Sequence, residues 1–344
     1  DGRDTIVYGK IPVDRLAEGT VQYFLEDGTP LKEGKYRTTD LSKSEQGFYV
    51  TANGLKSDVF KVSIREPFAE DAYETITYPV VFHLIQDKTK VELGQGVGAD
   101  IVNYAFNTIY NCFARTAAFS PNGADTKIRF RLAEYDPNGR KMEEKGINRY
   151  SLSTSDLNNL NPEKIKNNPK ICWDYKRYLN IWIVENMGNS VSTPHYILNT
   201  ADLNQIQGVS FEQLSLEEIE KQEYSLTDIG LIYGARDFAI EDVGYPTQMG
   251  KFFGLLDTEN QKEDYCEDTF AYNTYKEPWN TALEGSNSRL KISTDGLIFY
   301  SVNIMDASSY KNTISMDQVK RIRTITDNCP HRWAWKSDWA FTGK

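Results

Sequence analysis

The chain has 344 residues, of which 40% are hydrophobic, enough to bury at least one full core. Its net charge of −10 argues against a nucleic-acid partner, because gripping phosphates calls for a basic face. No stretch approaches the roughly 20 uninterrupted apolar residues of a membrane-spanning helix, and the cysteines Cys112, Cys172, Cys266 and Cys329 are too few and too scattered for a disulfide scaffold or a CxxC zinc site. Their spacing leaves bridges and buried free thiols equally open, with Cys266–Cys329 the pair to examine first. Residue 1 is an aspartate, as in a mature or trimmed protein, so a leader or lipid anchor would already have been removed.

In chain order, residues 1–74 alternate short β-type runs with turn signals. Val21–Leu25 is followed by Glu26-Asp27-Gly28-Thr29-Pro30, and Gly47–Ala52 and Ser57–Ile64 supply two more strands. This pattern fits a small antiparallel sandwich of the immunoglobulin-like kind, a module that mostly serves as a spacer. Arg65-Glu66-Pro67-Phe68 and the acidic stretch to Glu74 form a polar link, and a second domain, 75–344, begins after it. Tyr78–Ile85 is a near-continuous apolar run, the mark of a strand buried on both faces. Ile101, Ala105, Ile109, Cys112 and Phe113 recur at helical spacing and predict a helix from about Ala99 to Thr116. Ile128–Ala133 and Tyr178–Val184 are further strands, while the polar stretch Ser151–Lys170 reads as a long loop. Ser315-Met316-Asp317-Gln318 has the form of a capping box opening a helix through Ile325, and the tail carries Trp333, Trp335 and Trp339. The fold class is therefore α+β, a mixed sheet with packed helices behind a small all-β module.

The order of segments in the second domain resembles the pappalysin family of metzincins, including its secreted lipoprotein members in Bacteroides-like bacteria. The pieces are Pro79–Ile85 as the opening strand, Ile128–Ala133 with Asp136-Pro137-Asn138-Gly139 and Gly146-Ile147-Asn148-Arg149, and Tyr178–Trp182 as the strand along the substrate cleft. Asp264–Thr269 is similar to the family's acidic loop and Asn303-Ile304-Met305-Asp306 to its Met-turn, with Met305 as the methionine. The resemblance implies a zinc-protease (zincin) fold, an extracytoplasmic location as a secreted or cell-surface lipoprotein, zinc as the family cofactor, and calcium as a second ion for the acidic loop.

Zinc proteolysis in such a fold needs H-E-x-x-H-x-x-G-x-x-H: two histidines one helical turn apart, a glycine at which the chain turns, a third histidine, and a glutamate to deprotonate the metal-bound water. Aligned on Gly254, the ligand positions here hold Thr247, Lys251 and Asp257, and the base position holds Gln248. A charged lysine has no lone pair for a metal, and glutamine is no general base near neutral pH. Lys251 and Asp257 fall where two ligands would converge, so an ammonium–carboxylate pair is expected in the metal's place. Taken without the segment order, the same stretch is an ordinary amphipathic helix.

Only three histidines exist. His83 lies in an apolar strand and is expected to be a satisfied core residue. His195 follows the cleft strand and is the one that would face the old site, and His331 near the tail looks peripheral. Glu241 and Asp242, just before the helix, suit its positive end better than acid–base work. No G-x-S-x-G elbow, P-loop or dinucleotide fingerprint supports another enzyme class. The leading expectation is a pseudoprotease, without catalytic residues or required cofactor, that binds protein or peptide or acts as a scaffold. Two alternatives remain: a zinc metallopeptidase with non-standard ligands, and a glycan-binding surface protein using the tail tryptophans or the N-terminal module.

Overall fold

The computed structural model describes residues 5–6, 21–38, 40–64, 69–90, 96–117, 123–201, 205–240, 244–259, 263–272, 290–294, 298–306 and 311–344. Glu241, Asp242 and the link 65–68 fall outside the described residues. Two compact units are formed, Val7–Ala69 and Glu70–Lys344, the second also holding the short strand Thr5–Ile6.

In the first unit Glu45–Ala52 is the central strand. Val21–Leu25 pairs antiparallel along one edge, Val21 opposite Ala52 and Leu25 opposite Phe48. Leu55–Lys56 and Phe60–Ser63 share the other edge. Cross-strand aromatics hold the sheet: Phe24 stacks on Tyr49 at 5.1 Å, and the Lys56 ammonium lies 3.7 Å from the Tyr49 ring centre.

The second unit is built on Ile76–Asp87, a strand of 12 residues buried almost throughout. Leu179–Val184 pairs with it in parallel (Phe82 opposite Ile181), and Gly230–Gly234 pairs in parallel with Leu179–Val184. The opposite edge is divided, Ile128–Leu132 running beside Ile76–Val80 and Ile147–Leu152 beside Phe82–Asp87, again in parallel. Every ladder of this five-stranded sheet is thus parallel, and the mixed character expected from the sequence is reduced to one antiparallel bridge, Ser190 to Ile232. Leu179–Val184 is buried at all six positions and flanked on both sides, so it is a central strand and not the cleft edge. Its unbroken apolar run belongs to a parallel sheet covered on both faces.

One face of the sheet, with Ile85, Trp182, Val184 and Ile232, packs on Leu157, Ile165 and Ile171. Leu157 and Ile165 come from two five-residue helices, Thr154–Asn158 and Pro162–Lys166, capped by the side chains of Ser153 and Asn161. The stretch expected to be a long loop is therefore half helical; helices this short bury one residue each and leave no periodicity to read. The other face packs Tyr78, Phe113, Phe130 and Phe253 ring against ring, with helix Ala99–Phe113 above. The capping box at Ser315 and Gln318 opens helix Met316–Asn328, somewhat longer than expected. All four cysteines are free thiols, including Cys266 and Cys329. Among the described residues no helix is long and apolar enough to cross a membrane.

Candidate functional site

The helix Gly244–Phe252 carries the candidate positions, and its end is fixed by backbone geometry. Gly254 sits at φ +87°, Leu255 N–H donates to Gly250 O at 2.9 Å, and Gly254 N–H donates to Lys251 O at 2.9 Å. This is a Schellman close, which needs a left-handed residue one place beyond the helix. The remaining carbonyls at this negative end meet two buried guanidinium groups. Arg332 donates to Phe252 O at 2.7 Å, to Ser192 O at 3.3 Å and to Asp228 O, and lies 3.5 Å over the Phe252 ring. Arg321 donates to Gly254 O at 2.5 Å.

Beneath the helix, Asn303–Asp306 forms a tight turn. Asn303 Oδ1 accepts from Met305 N–H at 2.9 Å, and the Asn303 amide exchanges hydrogen bonds with Gln318 at 2.9 and 3.1 Å. The capping-box residue thus also braces the turn. Met305 is buried, its sulfur 2.9 Å from where a Cβ on Gly250 would stand, so the methionine packs directly against the helix. Asp306 is buried under the turn and accepts from Thr258 and Ser301 hydroxyls; burial raises its carboxyl well above the ordinary carboxylate range.

On the outward face the four positions are occupied as follows. The Thr247 hydroxyl donates to Ile304 O at 2.6 Å and accepts from the Lys311 ammonium at 3.0 Å. One turn on, Lys251 Nζ meets both oxygens of Asp257, at 2.9 and 3.0 Å, with the two side chains 29% and 28% exposed. The Gln248 side chain is half-buried and makes no hydrogen bond among the described residues. These groups do not fit a zinc ion: the threonine oxygen is committed twice, the ammonium offers only protons, and one carboxylate is left, already neutralised. Among the described residues no three His, Cys, Asp or Glu side chains converge on a metal-sized space.

The acidic loop serves the neighbouring helix. Asp268 accepts from Ser315 Oγ at 2.5 Å and from Asp317 N–H at 3.0 Å, and Asp264 accepts from Cys266 N–H at 3.1 Å and Thr269 Oγ1 at 2.7 Å. Those contacts make it a helix-capping turn.

His83 is fully buried between two amides. Asn148 Nδ2 donates to both Lys170 O and His83 Nδ1, while Asn180 Nδ2 donates to Trp173 O, leaving Asn180 Oδ1 to accept from His83 Nε2 at 2.9 Å. The carbonyls orient both amides, so the ring is held neutral with its proton on Nε2, and burial pushes its pKa down to about 4. His195 is exposed, its ring 4.4 Å from that of Tyr196, and no described contact joins it to Thr247, Lys251 or Asp257. His331 is not peripheral. It is 3% exposed, ringed by Tyr175, Tyr196 and Tyr224, has no partner for Nε2, and is pushed down to about 4 by burial and by Arg332. Its tyrosines come from segments more than a hundred residues earlier, which no local pattern could announce.

Lys311, Arg332 and the Asp306 pocket were not singled out in the sequence. Lys311 has no local signal, whereas an arginine straight after Cys329-Pro330-His331, at the end of a capped helix, could have been suspected of reaching carbonyls.

No protein-family model and no curated protein matches the chain. Among solved structures it is similar to mature mirolysin of Tannerella forsythia in complex with a cleaved peptide, with a TM-score of 0.50 and 18% identity over 78% of this chain and 97% of that one. A promirolysin mutant (TM-score 0.48, 19% identity, 78% of this chain and 85% of that) and mirolysin in complex with a compound (0.49, 18%, 78% and 98%) also match. At such identity the likeness to mature mirolysin defines the fold and nothing finer.

Proposed function

We propose that this chain is a pappalysin-type metzincin relative that has exchanged its metal chemistry for binding, and that it holds extended protein or peptide segments outside the cytoplasm. The N-terminal unit is an immunoglobulin-like spacer in this reading. The observation that carries it is the Lys251–Asp257 ion pair on the face where a metal would be coordinated. Peptide binding is supported by the sheet edge. Ser190 closes on Ile232 with two hydrogen bonds of 2.8 and 2.9 Å, and Asn189 Oδ1 accepts from Gly234 N–H, so the loop covers the outer side of Gly230–Gly234. The next residue, Val191, is half-buried, and among the described residues its backbone makes no hydrogen bond; alternation along the bridged segment turns its N–H and C=O to the side that strand addition would use.

A glycan-binding role finds less support. The tail tryptophans are half-buried, the Lys336 ammonium lies 3.1 Å from the centre of the Trp333 ring, and the Arg177 guanidinium lies 4.2 Å from that of Trp339.

The test is the zinc content of the purified chain after brief exposure to zinc and removal of excess, run beside a peptide-cleavage assay with and without chelator. Less than about a tenth of an equivalent, and no chelator-sensitive cleavage, is expected. One tightly held zinc with chelator-sensitive cleavage overturns the proposal in favour of a metallopeptidase with other ligands.

A further inference from the structure

His331 forms the floor of a cluster of tyrosines. It is 3% exposed and its Nε2 has no partner. The ring centres of Tyr175, Tyr224 and Tyr196 lie 5.3, 5.4 and 6.1 Å from that of the imidazole, all steeply inclined to it. Tyr175 and Tyr224 also meet each other edge to face at 5.4 Å. Each of these tyrosines is half-buried, so part of each remains at the surface, and their hydroxyls make no hydrogen bond among the described residues.

Rings packed in this way are pre-organised. A tyrosine has few side-chain torsions, and contact with neighbouring rings restricts them, so little entropy is lost when a partner docks. Part-exposed tyrosines of this kind supply much of the contact energy at recognition surfaces. Burial pushes the Tyr175 hydroxyl up to about 12 and raises that of Tyr224, so both are protonated donors near neutral pH. A cation is not the guest such a cluster selects, because the Lys166 ammonium already lies 4.7 Å from the centre of the Tyr224 ring and donates to Tyr224 O.

The cluster is tied to the edge at residues 189–193. His331 and Arg332 are consecutive in the turn Pro330–Arg332, and Arg332 donates to Ser192 O at 3.3 Å. Tyr196 opens the strand Tyr196–Leu198, shortly after Ser192 in the chain. A bound chain that continues past Ser192 therefore meets the rings within about four residues of its own.

A prolyl segment matches what is found there. Its rings pack on aromatic surfaces, and it is already extended in the polyproline conformation. Each prolyl residue offers a carbonyl acceptor and brings no N–H that would need a partner. The donors it calls for are hydroxyls such as the phenols left over on these rings.

We propose that Tyr175, Tyr196 and Tyr224, over the floor made by His331, form a docking site for a proline-containing stretch of the bound peptide, whose neighbouring residues add to the edge at 189–193. The proposal rests on the peptide-binding function above.

The test uses the full chain and fluorescein-labelled peptides with blocked ends. Each has an alanine–valine core that carries either Pro-Pro-Ala-Pro or a run of alanines, placed before the core or after it. Anisotropy gives the affinities, and the ring-proton resonances of His331, assigned by their loss in His331→Phe, report on the floor of the cluster. One of the two prolyl peptides is expected to bind about tenfold tighter than its alanine counterpart and to move the His331 resonances; which one it is gives the direction of the bound chain. Tyr196→Ala should remove most of that advantage, and Tyr175→Phe combined with Tyr224→Phe should reduce it about threefold, with the alanine peptides unaffected. Should Tyr196→Ala lower the circular dichroism melting temperature, the phenylalanine pair, which keeps every ring, decides. Equal binding of prolyl and alanine peptides overturns the docking site while leaving peptide binding intact. A prolyl advantage that survives these variants and leaves His331 unmoved overturns it as well, because the proline is then held elsewhere. No binding of any form overturns the peptide-binding function and the docking site with it.

Discussion

The helix Gly244–Phe252 has two surfaces built by different rules. Its inner side and its end are fixed by packing and by buried hydrogen bonds: Met305 against Gly250, the left-handed Gly254, and Arg332 reaching three carbonyls from separate parts of the chain. The outer face carries Gln248 and Lys251, with the Lys251–Asp257 pair partly open to water, while Thr247 is buried with its hydroxyl on Ile304 O. Inside, a change of one group strands its partners without solvent to replace them. Outside, water can substitute for most of what is lost, so the outer residues are free to be exchanged while the fold stays. On the function proposed above, this division is what would let ligand positions on the outer face be exchanged without disturbing the frame that presents them.

The contrast can be broken experimentally. Arg332→Met keeps the apolar stem but abandons the carbonyls of Ser192, Asp228 and Phe252, and should lower stability by roughly 3–5 kcal/mol in urea titration. A loss under 1 kcal/mol would mean that the helix end is not held from inside.

Acid should act on the interior next. His83 and His331 both fall to about 4 in the folded chain from an ordinary 6.5, so folding favours their neutral forms. Their stabilising effect is complete above about pH 6.5 and is lost as pH falls toward 4, by roughly 3 kcal/mol for each. Asp306 opposes this, because a carboxyl raised by burial stabilises the fold on the acid side of its transition. Asp264 and Asp327 are raised by burial as well and oppose in the same sense, so the histidine contribution is read by difference: His331→Phe should lessen the fall, or enlarge the rise, in melting temperature on going from pH 7 to 4.5, relative to the parent chain. The two histidines should also separate: His83→Phe leaves Asn148 and Asn180 unsatisfied, at about 2–3 kcal/mol, whereas His331→Phe removes a ring nitrogen that has no partner and should be close to neutral.

Gly254→Ala should cost about 1–2 kcal/mol for the left-handed backbone alone. The smallest effects belong to the outer face, where Lys251→Ala or Asp257→Ala should each change stability by about 1 kcal/mol or less and less still in high salt. Outer-face losses as large as that of Arg332→Met would erase the distinction.

Much of the frame was readable in the sequence because it depends on local pattern. The apolar runs at Tyr78–Ile85 and Tyr178–Val184 became parallel strands, and Ser315 with Gln318 became a capping box. What escaped was set by distant partners. Tyr178–Trp182 was likened to a strand along the cleft, although the run Leu179–Val184, apolar at nearly every position, belongs in the middle of a covered sheet. The helices at Thr154 and Pro162 were too short for a periodic stripe, although Ser153 and Asn161-Pro162 are ordinary starting signals. On the outer face the spacing of Lys251 and Asp257 brought them together in the sequence, but Lys311, which reaches the Thr247 hydroxyl, lies 60 residues beyond Lys251 and has no pattern around it.

The Asn148–His83–Asn180 arrangement has a practical consequence. Its three members come from three neighbouring strands, and His83 stands directly opposite Asn148 in the register. The ring proton is confined to Nε2 only while all three strands are aligned, so the two nitrogen-15 shifts of this one imidazole form a natural gauge of sheet registry. A slip of any strand by one residue would turn an amide to the opposite side and release the tautomer, giving a spectroscopic signal at a single residue before the sheet as a whole had come apart.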